Sequence, residues 1–255
     1  MSNRSIVSIA KYLTVLLVVF YIGAANAAGT KSLAQLKAAE DIEIVSQQIP
    51  KAFFYLHQDI RIEQAKGDMS NGMALLKSSL DVLRITKDAE QKNLVAFMTH
   101  IYNEMKLLVK KSYTKERGAI MIDYGEVLLE GAETIVAKHT HKNNSKEQML
   151  IAAKRMSFLL ERATKYYIAF RDNFNDENNV KQLQNAITEF EKNIKFVRGK
   201  TYPKSVSKEV KRISQFWPQA SKFYLGVKKQ DLPLIVFITT KHLEKSIKVI
   251  EKHYE

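Results

Sequence analysis

The residues of this chain best suited to hold a ligand are two arginines, Arg155 and Arg162. They lie seven positions apart in the sequence, so on a helix both project from the same side. That side adjoins an apolar seam, and a cation placed there can reach a groove between helices. The alternative is that their aliphatic stems cover the flank of a bundle while their charged heads stay in water.

The apolar seam predicts a long helix over residues 146–172. Its members recur every seven residues in two interleaved series, which is typical of a helix packed inside a bundle. Lys154 and Lys165 fall outside the seam, and we expect both at the surface. The first series is Met149, Met156, Ala163 and Phe170, and the second is Ala153, Leu160, Tyr167 and Phe174.

The six histidines form neither a catalytic nor a metal-binding pattern. His139 and His141 are two apart, a spacing that points side chains to different faces of a helix. The others have no carboxylate or nucleophile at a diagnostic spacing, and no triad, phosphate loop or H-E-x-x-H motif is found. We therefore predict a non-enzymatic protein without a metal site.

A haem bundle like that of cytochrome b562 is a further alternative. It needs an axial methionine and histidine on its first and last helices. Most of the methionines, however, occupy seam positions, where this residue usually fills the core. Trp217 is expected in the core as well, because a large aromatic side chain on a bundle helix is usually buried. We predict no cofactor.

Composition favours long helices over sheets. Of the 255 residues, 45% are hydrophobic and 26% charged, and only nine are glycine and four proline. The chain has no cysteine, which excludes disulfides, thiolate metal sites and iron–sulfur clusters. Length allows one large domain or two of ordinary size.

Residues 1–27 are predicted to be an export signal. Arg4 and Lys11 accompany the apolar run 13–22, and a small-x-small cleavage site follows at 25–27,. The apolar run is shorter than the ~20 residues that a membrane-spanning helix needs. We therefore expect a periplasmic protein cleaved near Ala27, touching the membrane only transiently through its signal. Retention in the inner membrane by an uncleaved anchor is the alternative.

The chain is basic, with a formal net charge of +13, or +11 without Arg4 and Lys11. Such a charge can attract nucleic acid, an anionic membrane or acidic solutes. The cations are interleaved with acidic residues, and no aromatic-basic nucleic-acid motif is found. We therefore predict a charged, solvated surface and no nucleic-acid partner.

Apolar spacing of three and four residues continues along the chain and predicts two groups of four helices. Pro50 is expected to kink or break the first helix, and Pro218 to kink the seventh. Turns are expected at 67–72, near the polar segment 141–145 and at 175–179. Asp231 is expected to cap the last helix. The predicted fold is all-α, with two tandem four-helix bundles over residues 31–142 and 145–255.

The two halves align with each other at an offset of 114 residues. Ala39, Lys51 and Phe53 match Ala153, Lys165 and Tyr167 near the start of each half. Leu129 and Glu130 match Leu243 and Glu244 near the end. Matching beginnings and matching ends indicate a duplicated unit.

The opening helix of each half resembles the sensor module of PilJ/NarX type, found in type IV pilus chemotaxis transducers and nitrate-sensing kinases. That family carries a box close to A-G-R-Q-R-M-L-S-Q-R-M-A-K-A-Y. The first copy reads AEDIEIVSQQIPKAF over 39–53 and the second AKRMSFLLERATKYY over 153–167. The resemblance covers nearly all of the chain after the signal and implies a dimer-forming four-helix sensor.

The resemblance also implies a ligand site. In the family the box arginines are associated with an anion held between helices of a dimer, and guanidinium groups suit planar oxyanions. The second copy keeps the outer arginines as Arg155 and Arg162 and has Ser157 at the middle position. Matching Arg155 to the middle arginine through a two-residue gap is an alternative alignment. The first copy has Asp41, Glu43 and Gln48 there and is expected not to bind an anion in this way.

We therefore expect a non-enzymatic sensory or ligand-binding protein that holds a small anion or polar solute at Arg155, Ser157 and Arg162. Binding would favour one packing of the opening helices and pass the signal to a protein partner or a second copy. The rival hypothesis is an envelope structural or adaptor protein that binds another protein through its bundle faces, without a small ligand.

Overall fold

A computed structural model describes residues 33–138, 145–229 and 231–255. Within these ranges the chain forms eight α-helices and one short 3-10 helix, and it contains no strand. The prediction of an all-α fold is confirmed. The predicted signal peptide and residues 141–144 of the predicted linker lie outside the described residues. The α-helices are α1 (33–57), α2 (Ile62–Leu83), α3 (Ala89–Leu108), α4 (Lys115–Lys138), α5 (Ser145–Arg171), α6 (Glu177–Arg198), α7 (Lys204–Leu225) and α8 (Pro233–Tyr254).

The turn predicted at residues 67–72 is wrong, because α2 runs through it without interruption. Gly72 does not end the helix but lets it approach α1, where a Cβ atom would lie 2.9 Å from Ile49 Cγ1. The chain instead reverses at 58–61, where Asp59 and Arg61 adopt left-handed backbone angles, with φ of 54° and 51°. Aspartate tolerates this conformation better than most residues do, but nothing in the sequence pattern marks Arg61.

Pro50 lies within α1, and the helix continues through it rather than breaking. Proline cannot donate to the carbonyl four residues earlier, so the Ser46 carbonyl loses its usual helical partner. Gly125 of α4 lies against this point, since a Cβ there would be 2.5 Å from Ser46 O and 2.9 Å from Pro50 Cγ. A glycine thus allows α4 to pack directly on the interrupted turn of α1.

Gly125→Ala is therefore expected to destabilise the protein by about 1 to 3 kcal/mol, because the new methyl group overlaps a backbone oxygen that cannot move aside. Gly67→Ala is the matched control. Gly67 is also inside a helix but has nothing within 4 Å of its Cβ position, so alanine should stabilise by about 0.5 to 1 kcal/mol. Denaturant unfolding followed by circular dichroism measures both. Equal effects of the two changes would contradict the close contact.

The first half builds its core from all four of its helices. Ile42, Val45 and Ile49 of α1 pack with buried residues of the other three helices, among them Leu76 and Met98.

In the second half, α5 packs against α6 and α8, and α7 packs against the same two helices. A third, smaller cluster joins the halves, with Tyr55 of α1 edge-on to Phe237 of α8 at 5.0 Å between ring centroids. The two halves therefore share an apolar interface.

The predictions for Asp231 and Trp217 have different outcomes. Asp231 does not cap α8, because Leu232 holds the N-cap position without a side-chain bond and the Asp231 carboxylate pairs with Arg171. Trp217 is buried in the second core, as predicted. Within the described residues, no helix combines the length and the apolar character that a membrane span requires.

Candidate functional site

Helix α5 contacts both halves of the molecule. Six of its eight predicted seam residues are buried in the second core, whereas Phe170 and Phe174 are half-buried. Several of its polar side chains are buried as well and meet residues of the first half. Lys154 and Lys165 belong to this group, with 5% and 0% of their surface exposed, so the prediction that they lie at the surface is wrong. The apolar spacing indicates one buried face of α5, whereas α5 has two.

Arg162 is held between three helices. Its guanidinium donates to both carboxylate oxygens of Glu126 on α4, at 3.0 and 2.8 Å. It also donates to Gln47 Oε1 on α1 at 3.1 Å and to Gln182 Oε1 on α6 at 3.0 Å. A two-pronged bond to a planar carboxylate is the geometry with which arginine binds oxyanions. An oxyanion could bind Arg162 in this geometry only by taking the place of the Glu126 carboxylate.

Lys165 shares the same carboxylate. Its Nζ lies 2.5 Å from Glu126 Oε1 and is completely buried. Burial alone would raise the pKa of Glu126, but Lys165 and Arg162 together outweigh burial and lower this pKa to about 2. The two cations compete for one carboxylate, and arginine keeps its proton. Burial and the adjacent Arg162 therefore lower the pKa of Lys165 to about 8, against a partial opposing effect of Glu126.

A second buried ion cluster surrounds Lys51 of α1. Its Nζ lies 2.6 Å from Glu161 Oε2 on α5 and 3.1 Å from Glu244 Oε1 on α8. Lys241 of α8 completes the cluster, with its Nζ 2.9 Å from Glu244 and 2.7 Å from Asp68 of α2. Three carboxylates thus face two cations at the junction of four helices.

The two clusters contain residues that correspond at the sequence offset of 114. Lys51 and Lys165 are equivalent at the offset of 114 residues, as are Asp68 and Gln182. Each lysine is buried and pairs with a carboxylate from the other half of the chain. The two corresponding lysines thus make the same kind of contact between the halves, although their partners Glu244 and Glu126 do not correspond at this offset.

Arg155 and Arg162 line one open groove of about 370 Å³ between α4, α5 and α6. Arg155 lies over the Phe158 ring, 4.6 Å from its centroid. The same groove contains four carboxylates, from Glu126, Glu130, Glu133 and Glu189. Acidic groups outnumber cations in its lining, so a free anion meets net repulsion there unless a carboxylate is displaced or neutralised.

Glu43 of α1 interacts electrostatically with Arg155. Burial raises the pKa of Glu43 to about 7, and Arg155 offsets only part of this rise, while Glu133 and Glu40 add to it. Glu43 thus lies close enough to Arg155 for the charges of α1 and α5 to affect each other.

Ser157 lies on a different side of α5. It is 7% exposed and donates a hydrogen bond of 2.6 Å to Glu251 Oε1 on α8. It does not line the groove that contains Arg155 and Arg162. The structure thus brings the two arginines together and leaves the serine apart.

Glu126, Gln182 and Glu161 are the principal residues of these sites that sequence reasoning missed. They come from α4, α6 and the buried polar side of α5, and helical spacing gives no indication of which residues meet across helices. The offset of 114 residues contained a signal, because Asp68 and Gln182 correspond at this offset and lie in the two clusters. Among the described residues, no group of three or more possible ligands could hold a metal ion.

Compared with family models, curated proteins and solved structures, the chain gives no significant match to any of them. The likeness to PilJ/NarX-type modules therefore depends on the box residues quoted above.

Proposed function

We propose that this chain is a non-enzymatic sensory or ligand-binding protein of PilJ/NarX-like type, exported to the periplasm. In this proposal it consists of two four-helix bundles that pair through α1 and α5 within one chain, as two protomers do in a dimer of the family. The observation that supports a binding role is the guanidinium of Arg162, held between the halves by Glu126 in the geometry suited to an oxyanion.

The mechanism follows from the position of Glu126. A small oxyanion, or the carboxylate of a polar solute, enters by exchanging with Glu126 at Arg162. Because Glu126 is on α4 and Arg162 on α5, the exchange releases one contact between the halves. A ligand that binds the released arrangement more tightly shifts the equilibrium between the two packings of α5. The size of the shift is set by the difference in its binding free energy for the two states.

Glu126→Gln tests this mechanism. The change keeps the shape of the side chain but leaves Arg162 and Lys165 without their carboxylate, so oxyanions such as nitrate, nitrite or acetate should raise the melting temperature of the variant more than that of wild type. Glu130→Gln is the control, since Glu130 lines the groove but makes no hydrogen bond to Arg162. Arg162→Ala should abolish the response. Absence of any ligand-dependent shift in Glu126→Gln would defeat the binding proposal.

A second candidate is the adaptor function, and a basic segment of the chain favours it. Residues 195–229 contain ten lysines and arginines and a single acidic residue, Glu209, which pairs with Arg212 at 3.1 Å. The even mixing of charges expected from the sequence does not extend to this segment. An acidic surface on a partner protein would be complementary to it. The cations are Lys195, Arg198, Lys200, Lys204, Lys208, Lys211, Arg212, Lys222, Lys228 and Lys229.

The adaptor candidate is tested by placing a photo-crosslinking amino acid at Gln215, which is exposed on α7. In cells we expect one discrete adduct, lost when Lys208→Glu and Lys211→Glu are introduced together. The same crosslinker at exposed Lys87 is the control and should give no such adduct. Equal labelling at both positions would contradict a specific partner for this segment.

A further inference from the structure

The first half contains a groove that neither candidate function uses. It has a volume of about 480 Å³ and lies between the end of α1, α2 and the end of α3. This volume is within the range of small-molecule pockets, about 300 to 1,000 Å³. The groove is formed by other helices than the one that contains Arg155 and Arg162.

The lining of this groove is apolar. Aromatic and aliphatic side chains form most of it, together with two methionines, whose unbranched side chains adapt to irregular ligands. The Tyr113 ring is fixed by stacking on His57, with centroids 3.4 Å apart and planes within 10°. The apolar residues of the lining are Phe53, Leu56, Met69, Met73, Tyr102, Val109 and Tyr113.

The charged residues of the lining are all cations at neutral pH. Lys66, Lys106, Lys110 and Lys111 contribute to it, and no aspartate or glutamate does. Lys66 pairs with Glu63 at 3.0 Å, but the other three lysines have no ion pair with any residue that the structure describes. An apolar channel with unpaired ammonium groups of one sign complements a molecule with an apolar body and an anionic head.

From this combination we propose that the groove between α1, α2 and α3 binds a long-chain carboxylate, with its hydrocarbon chain along the apolar lining and its carboxylate at Lys106, Lys110 and Lys111. The site is independent of Arg162, so its failure and the failure of oxyanion binding are separable. A site for one long-chain carboxylate differs from a general apolar patch in two ways. It selects the charge of the ligand's head group, and it binds one ligand molecule per protein chain.

Titration calorimetry with dodecanoate, kept below its micelle concentration, measures this binding. One molecule should bind per chain, and dodecyltrimethylammonium, with the same chain and the opposite charge, should bind at least tenfold more weakly. From octanoate through decanoate to dodecanoate, affinity should rise about fourfold for each added methylene group. Equal binding of the two dodecyl compounds would overturn the proposed role of the lysines.

Two variants locate the site. The double change Lys106→Glu with Lys110→Glu should weaken dodecanoate binding at least tenfold. Lys87→Glu with Lys92→Glu, near the start of the same helix α3, makes the same change in net charge and should stay within twofold of wild type. Ser70→Phe should block the groove. Because Ser70 is exposed, this substitution replaces no core residue. Unfolding curves check that each variant is folded. Unchanged binding in Ser70→Phe would overturn the location.

Discussion

Lys51→Ala is expected to destabilise the protein by about 3 to 5 kcal/mol, the usual cost of removing one partner of a buried ion pair. The lysine side chain is 1% exposed and is the only cation within 4 Å of Glu161 among the described residues. Without it, Glu244 and Asp68 share the single charge of Lys241, and Glu161 loses the cation beside it. The cost comes from the carboxylates that are left buried, more than from the lost attraction itself.

Denaturant unfolding followed by circular dichroism measures this loss, and Lys66→Ala is its control. Lys66 and Glu63 also form an ion pair, at 3.0 Å, but their side chains are 60% and 83% exposed. Exposed pairs of this kind contribute about 0 to 1 kcal/mol, so the control should unfold almost as wild type does. Lys51→Met keeps most of the aliphatic stem and should lose nearly as much stability as Lys51→Ala. If Lys51→Met were as stable as wild type, the loss in Lys51→Ala would come from the missing side-chain volume and not from the missing charge.

Lys51 also shows where sequence reasoning stopped. The seam of seven-residue repeats identified α5 correctly, because apolar spacing reports the face of a helix that is removed from water. It could not identify Lys51 or Lys165 as buried, since a lysine is buried only when a carboxylate from another helix compensates its charge. Those carboxylates, Glu244 and Glu126, are 193 and 39 residues away along the chain.

Prediction of the helix ends was limited for a different reason. The two glycines of residues 67–72 predict a turn, but here Gly72 permits the close approach of Ile49 to α2. Glycine serves either purpose, and only the position of the neighbouring helix distinguishes them. The two arginines of the candidate groove were placed together correctly by their spacing on one helix. The four glutamates that share the groove with these arginines come from α4 and α6. The sequence does not specify how these two helices are aligned along α5.

The stability of the protein is expected to fall as the pH rises from about 4.5 to about 8, and Glu161 is the principal cause. Burial raises the pKa of Glu161 to about 8, because Lys51 offsets only part of the cost of burying its charge and Glu244 repels it. Lys241 of α8 and Asp68 of α2 are the other charged groups of this cluster. With one more carboxylate than cations in the cluster, a proton on Glu161 balances the charge.

The sign follows from counting protons. The unfolded carboxyl releases its proton near its ordinary pKa of 4.5, whereas the folded one keeps it until about pH 8. Between these values the folded state binds more protons, so the free energy of unfolding decreases with pH by at most about 1.4 kcal/mol per pH unit. Glu43, whose pKa is raised to about 7, adds to the same trend. Above pH 8 the lowered pKa of Lys165 reverses the trend, which predicts a stability minimum near pH 8.

Glu161→Gln separates this contribution from the rest. Glutamine is neutral at every pH and can still donate a hydrogen bond to Glu244, so near pH 5 the variant should unfold almost as wild type does. Its advantage over wild type should grow as the pH rises and should level off above pH 8, where Glu161 is ionised in both states. Denaturant midpoints measured at unit pH steps between 5 and 9 give the difference curve. A flat curve would mean that Glu161 is already ionised at pH 5, and Lys51 would then have to neutralise two buried carboxylates at once.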